Sequence, residues 1–499
     1  MNQPLPKHPE LLLGPNPLLE PLPPPIAFTD LPQALARNPF ADIQVMAYPL
    51  AYRENLIESI DQFFVSTSAI LEIAAGLQIL IRRALAVRNP LIKTERVRIN
   101  RLAVLDDENI NGLKLMPAMD GAGMLVSGMT ATGKSTIIKR MLELIVPDQV
   151  IMHGNSTACE WHRVTQCYYL YVDQSSNGTR GGLLKRILEA LDAAVGTSHF
   201  AEYKRSTNLD SLLVVVCKLL SLHRVAVLII DENQQSNLAD SPWALEFVLF
   251  YHSLMNLGIS VVLIGNPLAF AHLHMLSQVM RRFAVGGIHE LVPALASDRW
   301  WKRDYIAGIR TCSLVEEWQV DDQWRDAFEL THSGGLTGLH KALFKEIQRS
   351  ALRRGGERAC VIQTDFTAAL KSPRFLEVNR VAQAVNVAQS DDLIPYTDIP
   401  QIRRSKPPKN VSKESTTATP PTPLATETTA SLTRMLRAFQ AGQTKDLNKV
   451  KKRVEALQSL SPDDARMLGV SDELIRSMKE AIPGSDDPPP KRKAKGAVK

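Results

Sequence analysis

The sequence predicts an α/β protein built on a parallel sheet, and three observations predict it. Between residues 123 and 291, short apolar runs alternate with helix-length stretches, the pattern of strand–helix–strand units. The first run, "GMLVS", passes through the nonapeptide "GMTATGKST" (128–136) straight into a helical stretch, "STIIKRMLELI". A later run, "VAVLIIDEN", stays apolar until it ends in two carboxylates.

Taken in order, strands are expected at 123–127, 168–173, 225–230, 260–265 and 287–292. Between the second and third, Leu183, Ile187, Leu188 and Leu191 recur at helical spacing and mark one buried helix face. Upstream, an amphipathic pattern from about Asn55 to Arg88 suggests one or two helices closed by "RNP". Downstream, an all-helical module is expected, its stretch "SGGLTGLHKALFKEI" (333–347) carrying Leu336, Leu339, Leu343 and Ile347 on one stripe.

These readings divide the chain as follows. A flexible Pro/Leu-rich arm covers 1–34, a helical N-terminal region 35–120, the core 121–300 and a helical lid 301–400. A Thr/Pro-rich linker (401–430) leads to a helical, basic tail at 431–499, so the extensions at the two ends are expected to be disordered or helical.

Composition narrows the classes. Apolar content of 45% and charge of 22% are ordinary for a globular protein. Five cysteines without a CxxC or a zinc spacing argue for reduced thiols rather than a disulfide framework. No apolar run reaches the ~18 residues of a membrane span, and the N-terminus lacks signal-peptide order. A cytoplasmic protein with no membrane partner is expected. The net charge of +6 allows a polyanionic partner.

The chemistry starts at 128–136. The pattern GxxxxGK[ST] lets backbone N–H groups curl around a nucleotide's phosphates while the helix N-terminus adds its dipole. Gly128, Met129, Thr130, Ala131, Thr132, Gly133, Lys134, Ser135 and Thr136 form this candidate ATP-binding loop. Lys134 would neutralise the β- and γ-phosphate oxygens, and Ser135 would ligate Mg2+. Asp231 would hold the same ion through water, and Glu232 would polarise the attacking water as general base. Asn266, just past the fourth strand, is placed to orient that water. Arg281 and Arg282 precede the fifth strand, as an arginine finger for a neighbouring subunit's site or as surface cations. In "VDQSSNGTRGGLLKRI" (172–187), Arg180, Lys185 and Arg186 suit phosphate tracking along DNA and a solvated helix start equally.

Together, "NPF" (38–40), "RNP" (88–90), "VDQSSNGT", "LIIDENQ", "VLIGNP" and "SGGLTGLHKAL" resemble the TnsC/TniB family over about residues 35–375. That family comprises AAA+ ATPases that regulate transposition by heteromeric DDE transposases. The resemblance implies a P-loop AAA+ (ASCE) fold with a small helical lid, and slow, DNA-coupled ATP hydrolysis. It implies self-assembly into a ring or helical filament on double-stranded DNA, with transposase subunits and target-selection proteins as partners. By position it makes Arg282 the trans finger with Arg281 as alternate, and Arg180 and Thr197 the DNA contacts. It also implies a sensor-two arginine at the start of the lid helix, where this chain has Leu339; Lys341 is the nearest substitute. A helicase loader or origin-recognition-like DNA-loading ATPase is the alternative of the same fold, and a secretion-associated ATPase a third reading.

Overall fold

The computed structural model describes residues 7–175, 178–233, 244–270 and 277–388. The expected linker and tail, Ser176 and Asn177 of the "VDQSSNGT" loop, and Gln234 of "LIIDENQ" lie outside the described residues.

Among the described residues, nine strands form three groups. The central sheet contains β1 (Gly123–Gly128), β4 (Tyr169–Asp173), β5 (Val227–Asn233), β6 (Ser260–Gly265) and β7 (Ile288–Leu291). Each matches an expected strand to within a few residues. All pairings are parallel, in the order β4-β5-β6-β1-β7. Two strands that had no counterpart in the sequence reading, β2 (Val150–His153) and β3 (Val164–Cys167), form an antiparallel pair.

Burial on both faces explains the continuous apolar runs. Along β5, Leu228 and Ile230 point to one face, where helices Arg180–Val195, Leu209–Leu222 and Ala244–Asn256 pack. Val227 and Ile229 point to the other, under helices Ser68–Ala86 and Lys134–Ile145. The same two-residue alternation sorts Met124, Leu125 and Val126 on β1 and Val261 to Ile264 on β6. Among the described residues no helix is long and apolar enough to cross a membrane. The five cysteines form no disulfide.

Two expectations are corrected. The described part of the N-terminal arm is seated, not free: Leu18, Leu19, Leu22 and Leu31 are almost fully buried against the Ser68–Ala86 side of the sheet. A proline-rich chain has few N–H groups with which to pair, so side chains of that helix anchor it instead. Gln78 accepts from Ile26 N at 2.9 Å and donates to Ile26 O at 3.1 Å, and Arg82 donates to Pro23 O at 2.5 Å. The second correction concerns the downstream module, which is not all-helical: β8 (Glu317–Trp318) and β9 (Cys360–Val361) pair in parallel within it.

The helical region expected at 35–120 is shared among three cores, with Ile99, Leu102 and Leu113 in the one that holds Leu183 and Leu228. Phe40, Ile57, Ile60 and Phe63 pack with the downstream module around Trp301, Tyr305, Phe344 and Phe366. Ion pairs reinforce that seam, Lys345 meeting Glu58 at 2.9 Å and Asp61 at 2.7 Å. From Ile70 onward the chain turns to the sheet. There Gly76 is the point of closest approach: a Cβ on it would lie 2.2 Å from Gly286 O and 2.7 Å from Met124 Cε. Gly76→Ala is therefore expected to destabilise the chain by about 1–3 kcal/mol, the usual penalty of overpacking. Thermal unfolding against the exposed Glu72→Ala control, which should change stability by less than about 0.5 kcal/mol, checks this.

Candidate nucleotide-binding site

The site lies at the C-terminal edge of the sheet, where β1 ends and helix Lys134–Ile145 begins. The intervening loop is tightly wound. Ala131 and Gly133 both take left-handed backbone conformations, at φ +66° and +88°. Thr132 Oγ1 donates to Met129 O at 2.8 Å, and a Cβ on Gly128 would crowd that hydroxyl at 2.9 Å. Lys134 Nζ bends back over the loop and donates to the Gly128 and Met129 carbonyls, each at 2.8 Å. The helix thus opens at its positive end onto a ring of backbone with an ammonium at its centre, an anion-binding geometry.

Asp231 ends the apolar part of β5 and is buried. Its Oδ2 accepts from Ser135 Oγ at 2.5 Å and also from the Tyr171 hydroxyl, while its Oδ1 accepts from Glu232 N at 2.7 Å. Burial, and then the bond to Asp231, push the Tyr171 phenol far above its ordinary pKa, so it stays a donor. Glu232 has φ +56° and sits where the β5–β6 register breaks between Ile230 and Asn233. That bulge turns the Glu232 side chain out of the sheet into an exposed position beside the buried Asp231.

Asn233, which the sequence reading passed over, holds the bulge. Its Nδ2 donates to Ile230 O and Ile264 O, both at 2.9 Å, and its carbonyl accepts from Asn266 N at 2.9 Å. Only glycine fits opposite it, since a Cβ on Gly265 would lie 2.2 Å from Asn233 O. Asn266 is thereby fixed at the end of β6, between the strand that carries the loop and the strand that carries Asp231.

The oxygen pair of Ser135 and Asp231 fits a small, hard divalent cation that keeps most of its waters and takes phosphate oxygens as further ligands. Among the described residues no group of three or more His, Cys, Asp or Glu is placed to hold a metal by itself. The donor set suits Mg2+ arriving with a nucleotide better than a resident metal.

The arginine pair lies elsewhere. Helix Ser277–Phe283 leads to Gly286, whose N donates to Gly123 O at the opposite end of β1 from the loop. Five residue steps of strand separate Gly123 from Gly128, about 16 Å at strand rise. Arg281 is exposed and Arg282 half-buried; the charges felt by Arg282 are Asp120 and Arg281, and burial lowers its pKa. Neither is brought to the chain's own phosphate loop.

Arg180 opens helix Arg180–Val195, lying 3.7 Å from Asp210, and Thr197 follows its other end. Sixteen residues of helix, about 24 Å, keep the two apart. Thr197 Oγ1 donates to Asp192 Oδ1 at 2.6 Å, closing the helix end. Lys185 and Arg186 reach the Lys204 and Asp173 carbonyls at 2.7 and 3.4 Å.

The start of the lid helix, Thr337–Gly355, touches the loop through backbone and apolar groups. Gly338 N donates to Ala131 O at 3.0 Å, and Leu336 and Leu339 pack with Met129. Lys341 points away, its Nζ donating to Asp61 O at 3.1 Å and Phe63 O at 2.5 Å.

The sheet order, with β6 between the loop strand and the acidic strand, and the lid helix over the loop define a P-loop ATPase fold of the AAA+ class. Residues 97–291 match the family model for the bacterial TniB protein, a span that ends with the last residue of β7 and carries both nucleotide motifs. No curated protein matches the chain. Matching solved structures include Cdc6p from Pyrobaculum aerophilum, at 15% identity and TM-score 0.37, covering 55% of this chain and 66% of that one. Another is the Aeropyrum pernix ORC1 protein in complex with DNA, at 16% identity and TM-score 0.36, covering 79% and 86%. A third is domain III of the Thermotoga maritima replication initiation protein DnaA, at 12% identity and TM-score 0.31, covering 54% and 93%.

The position of Lys341 yields a pH prediction. Burial lowers its pKa from 10.5 to about 8. Between those values the unfolded chain holds a proton that the folded chain has released, so this group makes stability rise with pH from about 8 toward 10.5. Lys341→Met removes that rise. Urea midpoints from pH 7.5 to 10 should climb relative to the variant in the wild type, and parallel profiles would contradict the assignment.

Proposed function

We propose that this chain is an ATP-dependent, DNA-binding regulator of DNA transposition. It oligomerises on target duplex DNA, connects target selection to the transposase, and is reset by slow ATP hydrolysis. The observation that carries the reading is the meeting of Ser135 and Asp231 at the phosphate loop, with Glu232 and Asn266 on the same edge, inside a segment that matches the TniB family.

In this reading 121–300 is the ATPase core, 301–400 its lid, and 431–499 a partner-binding tail. Lys134 leaves the Gly128 and Met129 carbonyls to meet the β- and γ-phosphates. Ser135 and Asp231 hold Mg2+, which when bound offsets phosphate charge. Glu232, exposed beside the buried Asp231, takes the proton of a water that Asn266 orients, and that water attacks the γ-phosphorus while ADP leaves. Arg282 lies too far from its own loop to act there and serves the neighbouring subunit, so the active unit is an assembly. Arg180 and Thr197, at the two ends of one helix, contact different stretches of the duplex backbone. The net charge of +6 supports the polyanionic partner.

Binding of the full chain to duplex DNA, measured with and without a non-hydrolysable ATP analogue across salt concentrations, tests this reading. Binding should require the nucleotide and fall steeply with salt. A chain that stays monomeric and ignores duplexes in both conditions would sink it. Glu232→Gln should lose turnover by about 10²–10⁴-fold yet hold DNA persistently with ATP. Lys134→Ala should lose nucleotide and DNA binding together.

A further inference from the structure

Tyr171 has no role in the nucleotide chemistry set out above, yet its hydroxyl meets the one carboxylate oxygen on which that chemistry turns. It stands on β4, two residues before the strand ends, and β4 pairs with β5 in the register Tyr171↔Ile229 and Asp173↔Asp231. Its OH and Ser135 Oγ both donate to Asp231 Oδ2. The ring is fixed in turn: it is half-buried, and Lys139 Nζ of the loop's own helix lies 4.9 Å from its centroid.

The geometry points to Tyr171 as a positioning residue for the divalent cation that accompanies the nucleotide. This rests on the nucleotide reading of the site. A carboxylate offers about four lone-pair sites, and three of those on Asp231 are taken: one on Oδ1 by Glu232 N and two on Oδ2 by the hydroxyls. Were Ser135 to turn toward the cation, the lone pair of Asp231 Oδ2 that its hydroxyl occupies would be freed. Tyr171 and Glu232 N then remain, one on each oxygen, and hold the carboxylate plane. Without the phenol, Oδ2 loses the other donor that the described residues give it, and Glu232 N alone is left to orient the carboxylate. The cation would then meet an acceptor that must first be ordered.

Such outer contacts typically alter metal affinity by at least tenfold. The test is Tyr171→Phe, which keeps the ring and its contact with Lys139. Binding of a fluorescent ATP analogue is followed as Mg2+ is titrated, and again in EDTA, with Tyr169→Phe on the same strand as control. The half-saturating Mg2+ concentration should rise about tenfold in Tyr171→Phe. Metal-free nucleotide affinity and the thermal midpoint should stay within about twofold and 2 °C of wild type, since one hydrogen bond is a small part of the stability of a chain this long. An unchanged or lower Mg2+ requirement overturns the proposal, as does an equal rise in Tyr169→Phe. Loss of metal-free binding or of the thermal midpoint in Tyr171→Phe also overturns it, by making the role structural. A wild-type chain that binds no nucleotide would instead defeat the underlying reading of the site.

Discussion

One contact organises the candidate site: the hydrogen bond from Ser135 to Asp231. The strands that lead to these residues, β1 and β5, never pair with each other, because β6 runs between them. The parallel register on both sides of β6 must therefore be correct before the serine and the carboxylate meet. A slip of one residue would exchange inward and outward faces along a strand. Val227 to Ile230 are buried on both faces, so such a slip carries no rescue from solvent. The helix that starts at Lys134 adds the last constraint, since Ser135 is its second residue and moves with it.

The same sheet that fixes Asp231 releases Glu232. Two successive carboxylates on a regular strand would point to opposite faces, and one would be driven into an apolar layer. The left-handed turn at Glu232 and the register break beside it avoid that outcome. A non-glycine residue at positive φ is held at a cost of order 1–3 kcal/mol, sustained by surrounding contacts. Here Asn233 makes those contacts, by bonding the carbonyls of both adjoining strand ends. The exposure of one acid and the burial of its neighbour are thus consequences of a single local distortion.

Much of this was legible in the sequence. Apolar runs revealed the five central strands because burial on both faces demands them, and glycine spacing with Lys134 revealed the loop because few residues tolerate its backbone. Asn233 and Tyr171 were not legible: an asparagine after a strand and a tyrosine within one are ordinary, and only register shows what they touch. The seated N-terminal arm was hidden for a different reason. Proline content reports the absence of regular hydrogen bonding, and an extended chain can satisfy that condition while its leucines are buried. The antiparallel pair β2–β3 is half-exposed and short, so its pattern is too weak to separate from a loop. The family resemblance made Lys341 the nearest substitute for a lid arginine, but its side chain turns to Asp61 and Phe63 instead.

The lid helix carries Leu339 where the family resemblance implies a sensor-two arginine. An arginine at Leu339 would report on phosphate charge directly. Leu339 instead packs with Met129, and the Gly338 N–H bonds the carbonyl of Ala131, itself held in a left-handed conformation. The lid therefore meets the loop through backbone and apolar contacts. A Cβ on Gly338 would lie 2.9–3.2 Å from Ala131 O, Cβ and Cα, so the approach is as close as two backbones allow. The Gly338 N–H bond to Ala131 O ties the start of the lid helix to the conformation of the loop. The lid shares its core with Phe40, Ile57, Ile60 and Phe63, and the Lys345 ion pairs to Glu58 and Asp61 close the same seam, so apolar and charged contacts alike join the lid to the N-terminal segment.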